Sequence, residues 1–167
     1  RSILSRALKR ALAARFLQPS SCSDEFWGRN SKCNFGSRTM REPQGDDGGL
    51  LFVSSDVLQK TFVDDHNNPY TDRHYTSNLM TNLPWAQVAR LAECIAYSQL
   101  ENTDLYRFCM APIDIHHMVG VDLRNANGQR FSVRFGRPKA SNNFASEQRD
   151  FLALLAPHIQ RAVANGM

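Results

Sequence analysis

The sequence predicts a mixed α/β fold: an α-β-α layered single domain in which a small antiparallel sheet is covered by helices. Three observations predict it. His117 to Leu123 and Arg130 to Phe135 each alternate apolar with polar positions, and Asn127-Gly128 stands between them as a hairpin signal. Phe151, Leu155, Ile159 and Val163 repeat at helical spacing near the end of the chain. With 167 residues, 42% of them hydrophobic, the chain can bury one core of ordinary size, and one domain is the default.

The elements follow in order. Leu4, Leu8, Leu12 and Phe16 form one stripe flanked by Arg1, Arg6, Lys9, Arg10 and Arg15, which predicts an amphipathic helix of about four turns over residues 1–17. It suits a helix packed on the domain, a membrane-surface or targeting segment, or a partner-binding helix. Residues 18–49 hold Pro19, Gly28, Gly36, Pro43, Gly45 and Gly48-Gly49 and read as a long loop, a lid or an insertion, with Phe26, Trp27 and Phe35 to bury. Gly49 to Ser54 reads as a strand with Leu58 to Val63 as its partner. Asn67-Asn68-Pro69 opens a helix carrying Tyr70, His74, Tyr75, Asn78 and Leu79 that ends before Pro84. Val88 to Leu91 suggests a short strand and Cys94 to Leu100 a helical patch. Asn102-Thr103-Asp104 caps a helix through Met110, closed by Pro112.

The two alternating segments form the hairpin, with Phe131, Val133 and Phe135 inward. The last helix spans about Ser146 to Ala164. Inside it, Pro157 removes an amide and crowds the carbonyl of Ala153, a penalty of about 3 kcal/mol unless a bend relieves it. This layering is of the PAS/GAF kind, and no internal repeat is visible.

Charge is divided along the chain. Residues 1–41 hold nine Lys/Arg against two acids, residues 42–122 four against twelve, and residues 123–167 seven against two. The net charge of +4 and a pI near 9.1 therefore do not describe one continuous nucleic-acid groove. The basic ends can pair with the acidic middle, or with a second copy. No apolar run reaches the length of about 18 residues that a membrane helix needs, so no membrane partner is expected. Cys22, Cys33, Cys94 and Cys109 show no C-x-x-C spacing, which fits free thiols in a reducing cytoplasm.

Chemistry-bearing residues are sparse. Ser77 with His74 and Asp72 is the only local nucleophile set, and no activating Gly-x-Ser-x-Gly elbow surrounds it, so no catalytic residue and no enzyme activity are expected. His116-His117 suggests a metal, yet adjacent histidines at a strand start point to opposite faces; no metal and no cofactor are expected. Tyr70, Tyr75, Trp85 and Tyr106, with Tyr97, suit the lining of a small-molecule pocket, apolar with a few polar tips; core filling would explain the same residues.

Three motifs carry a resemblance to a known family. They are Tyr70-x3-His74-Tyr75-x2-Asn78; Asp104-Leu105-Tyr106-Arg107-Phe108 with Ala111-Pro112-Ile113; and Arg137 with Phe144 and the helix through Leu155-Ala156-Pro157-His158. In this order they resemble the N-terminal sensor domain of LuxR-type transcription regulators, over about residues 70–164. The resemblance implies a sensory domain for quorum sensing or virulence control, a homodimer, a possible small-molecule signal, and DNA contact only through a C-terminal helix-turn-helix expected after Met167. It implies a dimer or interdomain surface on Phe151, Leu155, Pro157, Ile159 and Val163. One departure bears on the ligand. The chain contains no Asp-Pro, the pair with which the family's classical members hold an acyl-homoserine lactone, so that recognition is not expected. A ligand-free dimerisation or protein-interaction module is the alternative.

Overall fold

The computed structural model describes residues 35–41, 50–53, 79–124 and 127–164. Among the described residues five strands form one sheet: β1 (Phe35–Arg41), β2 (Leu50–Val53), β3 (Val88–Arg90), β4 (His117–Arg124) and β5 (Arg130–Arg137). Their order is β2-β1-β5-β4-β3, and every neighbouring pair is antiparallel. The helices are α1 (Leu91–Cys94), α2 (Tyr97–Leu100) and α3 (Ser146–Ala164), with a π-helical segment over Tyr106–Met110 and a 3-10 turn over Ala111–Ile113. The mixed α/β fold with a small antiparallel sheet is the one expected.

The hairpin signal is realised as read. β4 and β5 pair from His117↔Arg137 to Arg124↔Arg130, and Gly128 takes a φ of 82° in the turn, a left-handed conformation that only glycine adopts at no steric cost. Val119, Val121, Leu123, Phe131, Val133 and Phe135 then share one face. Leu152, Leu155, Ala156, Ile159 and Val163 of α3 close over it with Phe144. A second core gathers Met80, Leu83, Leu91, Leu100, Leu105, Cys109, Met110, Ile115 and Met118. Because Met118 stands on the opposite face of β4, these short helices form the other layer.

α3 starts at Ser146, as expected. Gln148 Oε1 accepts from the Ala145 amide at 3.0 Å, and the Gln148 and Arg149 amides donate to the Ala145 carbonyl. Ala145 is thus the cap, and Gln148 performs half of a capping box. The helix continues past Pro157 to Ala164.

One expectation is corrected. Residues 18–49 are not a loop throughout, because β1 lies within them and pairs with β5 at all seven positions. Phe35-Gly36-Ser37-Arg38-Thr39-Met40-Arg41 has little β-branched content, so tertiary pairing rather than local propensity makes this strand. The strand over 50–53 pairs with β1, whereas its expected partner, 58–63, lies outside the described residues. So do the helix over 1–17 and Tyr70 to Asn78.

Among the described residues folding pairs part of the divided charge. Asp122, Glu101 and Glu93 of the acidic middle pair with Arg130 and Arg134, Lys139 and Arg149 of the basic C-terminal third. Among the described residues no helix is long and apolar enough to cross a membrane.

Candidate functional site

The sheet face turned away from α3 is polar. Strand alternation places Asp122, Arg124, Arg130, Ser132 and Arg134 on it. Asp122 is completely buried, and its carboxylate is divided between two cations: Oδ2 accepts from Arg130 Nη1 at 2.5 Å and Oδ1 from Arg134 Nη2 at 2.5 Å. Burial alone would raise its pKa. The charge of Arg134, with hydrogen bonds from Arg134, Ser132 and Arg130, outweighs burial and holds the carboxyl below its ordinary value.

The same arginines strap a segment of chain across the sheet. Arg134 Nη2 donates to the Met80 carbonyl and Arg130 Nη1 to that of Leu83, at 2.5 and 2.9 Å. Arg134 Nη1 also donates to the Val121 and Val133 carbonyls. Gly120 makes this possible: a Cβ there would sit 2.3 Å from Arg134 Cδ and 2.6 Å from the Val133 carbonyl oxygen. Opposite Arg134 in the register stands Ser37, small and buried.

Trp85 ends the strap. It bridges to Asp122, and the next residue, Ala86, is held at a φ of 58°, a conformation of real cost for a residue with a Cβ. The Ala86 amide donates to the Asp122 carbonyl at 2.8 Å. The Arg130 and Arg124 guanidinium carbons lie 3.9 and 4.4 Å from the Trp85 ring centroid, within cation-π range.

A second cluster sits at the other end of β4. The Tyr97 hydroxyl is 2.7 Å from His117 Nδ1, and the Tyr106 hydroxyl 3.0 Å from His116 Nδ1. Tyr97 stacks on His116 at 4.6 Å. The two imidazoles lie edge to face at 4.8 Å, so they do not splay apart as strand alternation suggests. The reason is that His116 precedes β4 and is set by its own amide, which donates to the Arg137 carbonyl. Burial pushes both histidines below their ordinary pKa, assisted at His116 by Lys139 and at His117 by His116. Glu101, 3.8 Å from His116, opposes that shift.

Trp85 and Tyr106 are therefore not brought together. One touches Arg124 at the end of β4, the other touches His116 just before its start, and eight strand residues separate them by on the order of 20 Å. Tyr70 and Tyr75 lie outside the described residues. Leu155, Ile159 and Val163 are buried against the chain's own sheet, and Phe151 packs at their margin, so the expected dimer stripe is spent inside the domain. Pro157 is exposed, as is Leu154 at 55%.

Among solved structures the chain is similar to the ligand-binding domain of VqsR from Pseudomonas aeruginosa, with a TM-score of 0.57 and 13% identity over 93% of this chain and 90% of that one. It is similar also to Escherichia coli SdiA, with a TM-score of 0.55 and 13% identity over 96% of this chain and 68% of that one. The chain shares their fold. These likenesses speak for the layered α/β arrangement and not for the narrower PAS/GAF label. No protein-family model matches the chain, and no curated protein does.

Asp122, Arg130 and Arg134 were absent from the residues that the sequence singled out. Their signal was present: charges at alternate positions of two strands whose other face is apolar over Val119 to Leu123 and Phe131 to Phe135, with a glycine, Gly120, two residues before Asp122.

Proposed function

We propose that the chain is the sensory and regulatory domain of a LuxR-type transcription regulator, a non-enzymatic, cytoplasmic domain serving quorum sensing or virulence control. The observation that carries this reading is the fold held in common with the VqsR ligand-binding domain over 93% of the chain. The three sequence motifs over residues 70–164 support it independently. DNA contact belongs, on this reading, to a helix-turn-helix of the same regulator, and a small-molecule signal shifts the population of domain states.

The proposed assembly is a homodimer, matching the two-fold symmetry of typical operators. Its contact on α3 uses the outer face at Leu154 and Pro157, because the inner stripe is occupied. Classical acyl-homoserine lactone recognition is not part of the proposal: the Asp-Pro pair is missing, and losing one charged hydrogen bond costs about 1.5–3 kcal/mol, roughly ten- to a hundred-fold in affinity. The second reading, a ligand-free dimerisation or interaction module, is favoured by the way Asp122, Arg130 and Arg134 fill the sheet face.

The test joins the 167-residue chain to a DNA-binding domain stripped of its own dimerisation unit and measures repression of a matching operator. Repression that responds to added culture extract is expected. Constitutive repression would favour the second reading, and no repression, with sedimentation showing only monomer at high micromolar concentration, would refute both. Calorimetry with short- and long-chain lactones should show weak or no binding; micromolar binding lost in Trp85→Ala would overturn the lactone statement.

A further inference from the structure

We propose that Trp85, Arg124 and Arg130 form a site for the oxyanion of an acidic small molecule, a carboxylate or a phosphate. The proposal rests on the sensory reading above and names the chemical class of its signal.

Charge counting on this part of the sheet leaves cations over. Among the described residues Arg124, Arg130 and Arg134 share one face of β4 and β5 with one carboxylate, that of Asp122, and both its oxygens are taken. Arg134 is fully occupied, by Asp122 and three carbonyl groups. Arg130 is not. Its hydrogen bonds to Asp122 and the Leu83 carbonyl both engage Nη1, while its Nε is buried with no hydrogen-bond partner. The residue as a whole is only 9% exposed, so water does not readily replace the missing acceptor. A buried donor left in this state is costly and marks a place where a ligand atom can be gained.

Arg124 stands at the open side. It is exposed, its guanidinium makes no hydrogen bond or ion pair among the described residues, and its carbon lies 4.4 Å from the Trp85 ring centroid. Two guanidinium groups thus share one indole, and among the described residues Asp122, bound to Arg130, is the one carboxylate that pairs with either. Stacking on an aromatic face occupies the face of a guanidinium and leaves its N–H edge free, and that edge matches a carboxylate or phosphate in a bidentate fork. Trp85 is itself 37% exposed, so the group is reachable from solvent. A neutral ligand has no use for this surplus; an oxyanion cancels it.

The experiment titrates the 167-residue chain with octanoate, with octanamide as its neutral match, and with inorganic phosphate. Calorimetry measures affinity, and a Trp27→Phe background lets indole emission report Trp85 alone. Octanoate or phosphate should bind at least about tenfold more tightly than octanamide, and Arg124→Gln should lose about tenfold of that affinity with an unchanged urea midpoint. Octanoate binding assigns a carboxylate source, and phosphate binding alone a phosphate source. Equal affinity for octanoate and octanamide, no binding of either anion, or indifference to Arg124→Gln overturns the site. Octanamide binding alone would overturn the anionic class and leave the sensory reading standing. Anion binding that never alters the operator readout would instead keep the site and remove the sensory reading.

Discussion

Asp122 is the residue on which the polar sheet face depends. With its charge removed, two buried guanidinium groups lose the carboxylate they share, and breaking a buried pair in this way costs about 3–5 kcal/mol. Asp122→Ala should therefore remove a large part of a stability that for a domain this size is about 5–15 kcal/mol, seen as a lower urea midpoint. A midpoint within error of the parent chain would mean that the strap over Met80 and Leu83 holds without it. The histidine pair acts through pH. Both imidazoles bind protons less readily in the folded state than in the unfolded one, so the unfolded chain takes up protons first as pH falls. Stability from this pair is complete above the ordinary histidine pKa of about 6.5 and is lost as pH drops through the lowered folded values. Thermal unfolding between pH 7.5 and 5, set at roughly a unit either side of that ordinary value, should fall steeply for the parent chain. It should flatten in His116→Asn with His117→Asn; an unchanged slope would place the acid sensitivity elsewhere. At Cys109 burial pushes the thiol up to about 11, so it is inert at neutral pH.

At the scale of elements, α3 is two-sided. Ile159 is fully buried and Leu154 is 55% exposed. Ile159→Ala should cost about 2–5 kcal/mol through lost burial and a cavity, while Leu154→Ala should stay within about 0.5 kcal/mol and instead weaken any self-association. If sedimentation finds the reverse, with Ile159→Ala altering assembly at unchanged stability, the inward orientation of the stripe is wrong. The long helix, the hairpin and the short strand at Val88 were legible because each pattern is a local consequence of what it packs against. β1 was not, because its seven residues carry no alternation strong enough to announce a strand, and its partner lies far away in sequence. The candidate site was half legible. Trp85 stood out as an aromatic, but the arginines stacked on it were read only as net charge, and their convergence on Asp122 depends on strand register. The alternation that turns Val119 and Phe131 into the core also turns Asp122, Arg130 and Arg134 onto the opposite face, so the polar face lies in the same pattern.

For the whole molecule, the strand order β2-β1-β5-β4-β3 determines which parts of the chain must wait. β4 and β5 meet through a tight turn, whereas β1 meets β5 only when Arg41 reaches Arg130 and Phe35 reaches Gly136. Closing a loop on the order of a hundred residues costs roughly 2.5 kcal/mol more in chain entropy than closing the short hairpin. Non-local pairings of this kind form late and slowly. One edge of β1 finds β2 close behind it in the chain, but its other edge has no partner until β5 has been made. Pulse-labelled hydrogen exchange during refolding should protect the amides of Val119 to Val133 before those of Ser37 and Thr39. A newborn copy of this domain consequently carries an unclaimed β1 edge until its own β5 emerges, open to the β5 of a neighbouring chain, so polysome-bound copies are where exchange of strands between molecules would begin.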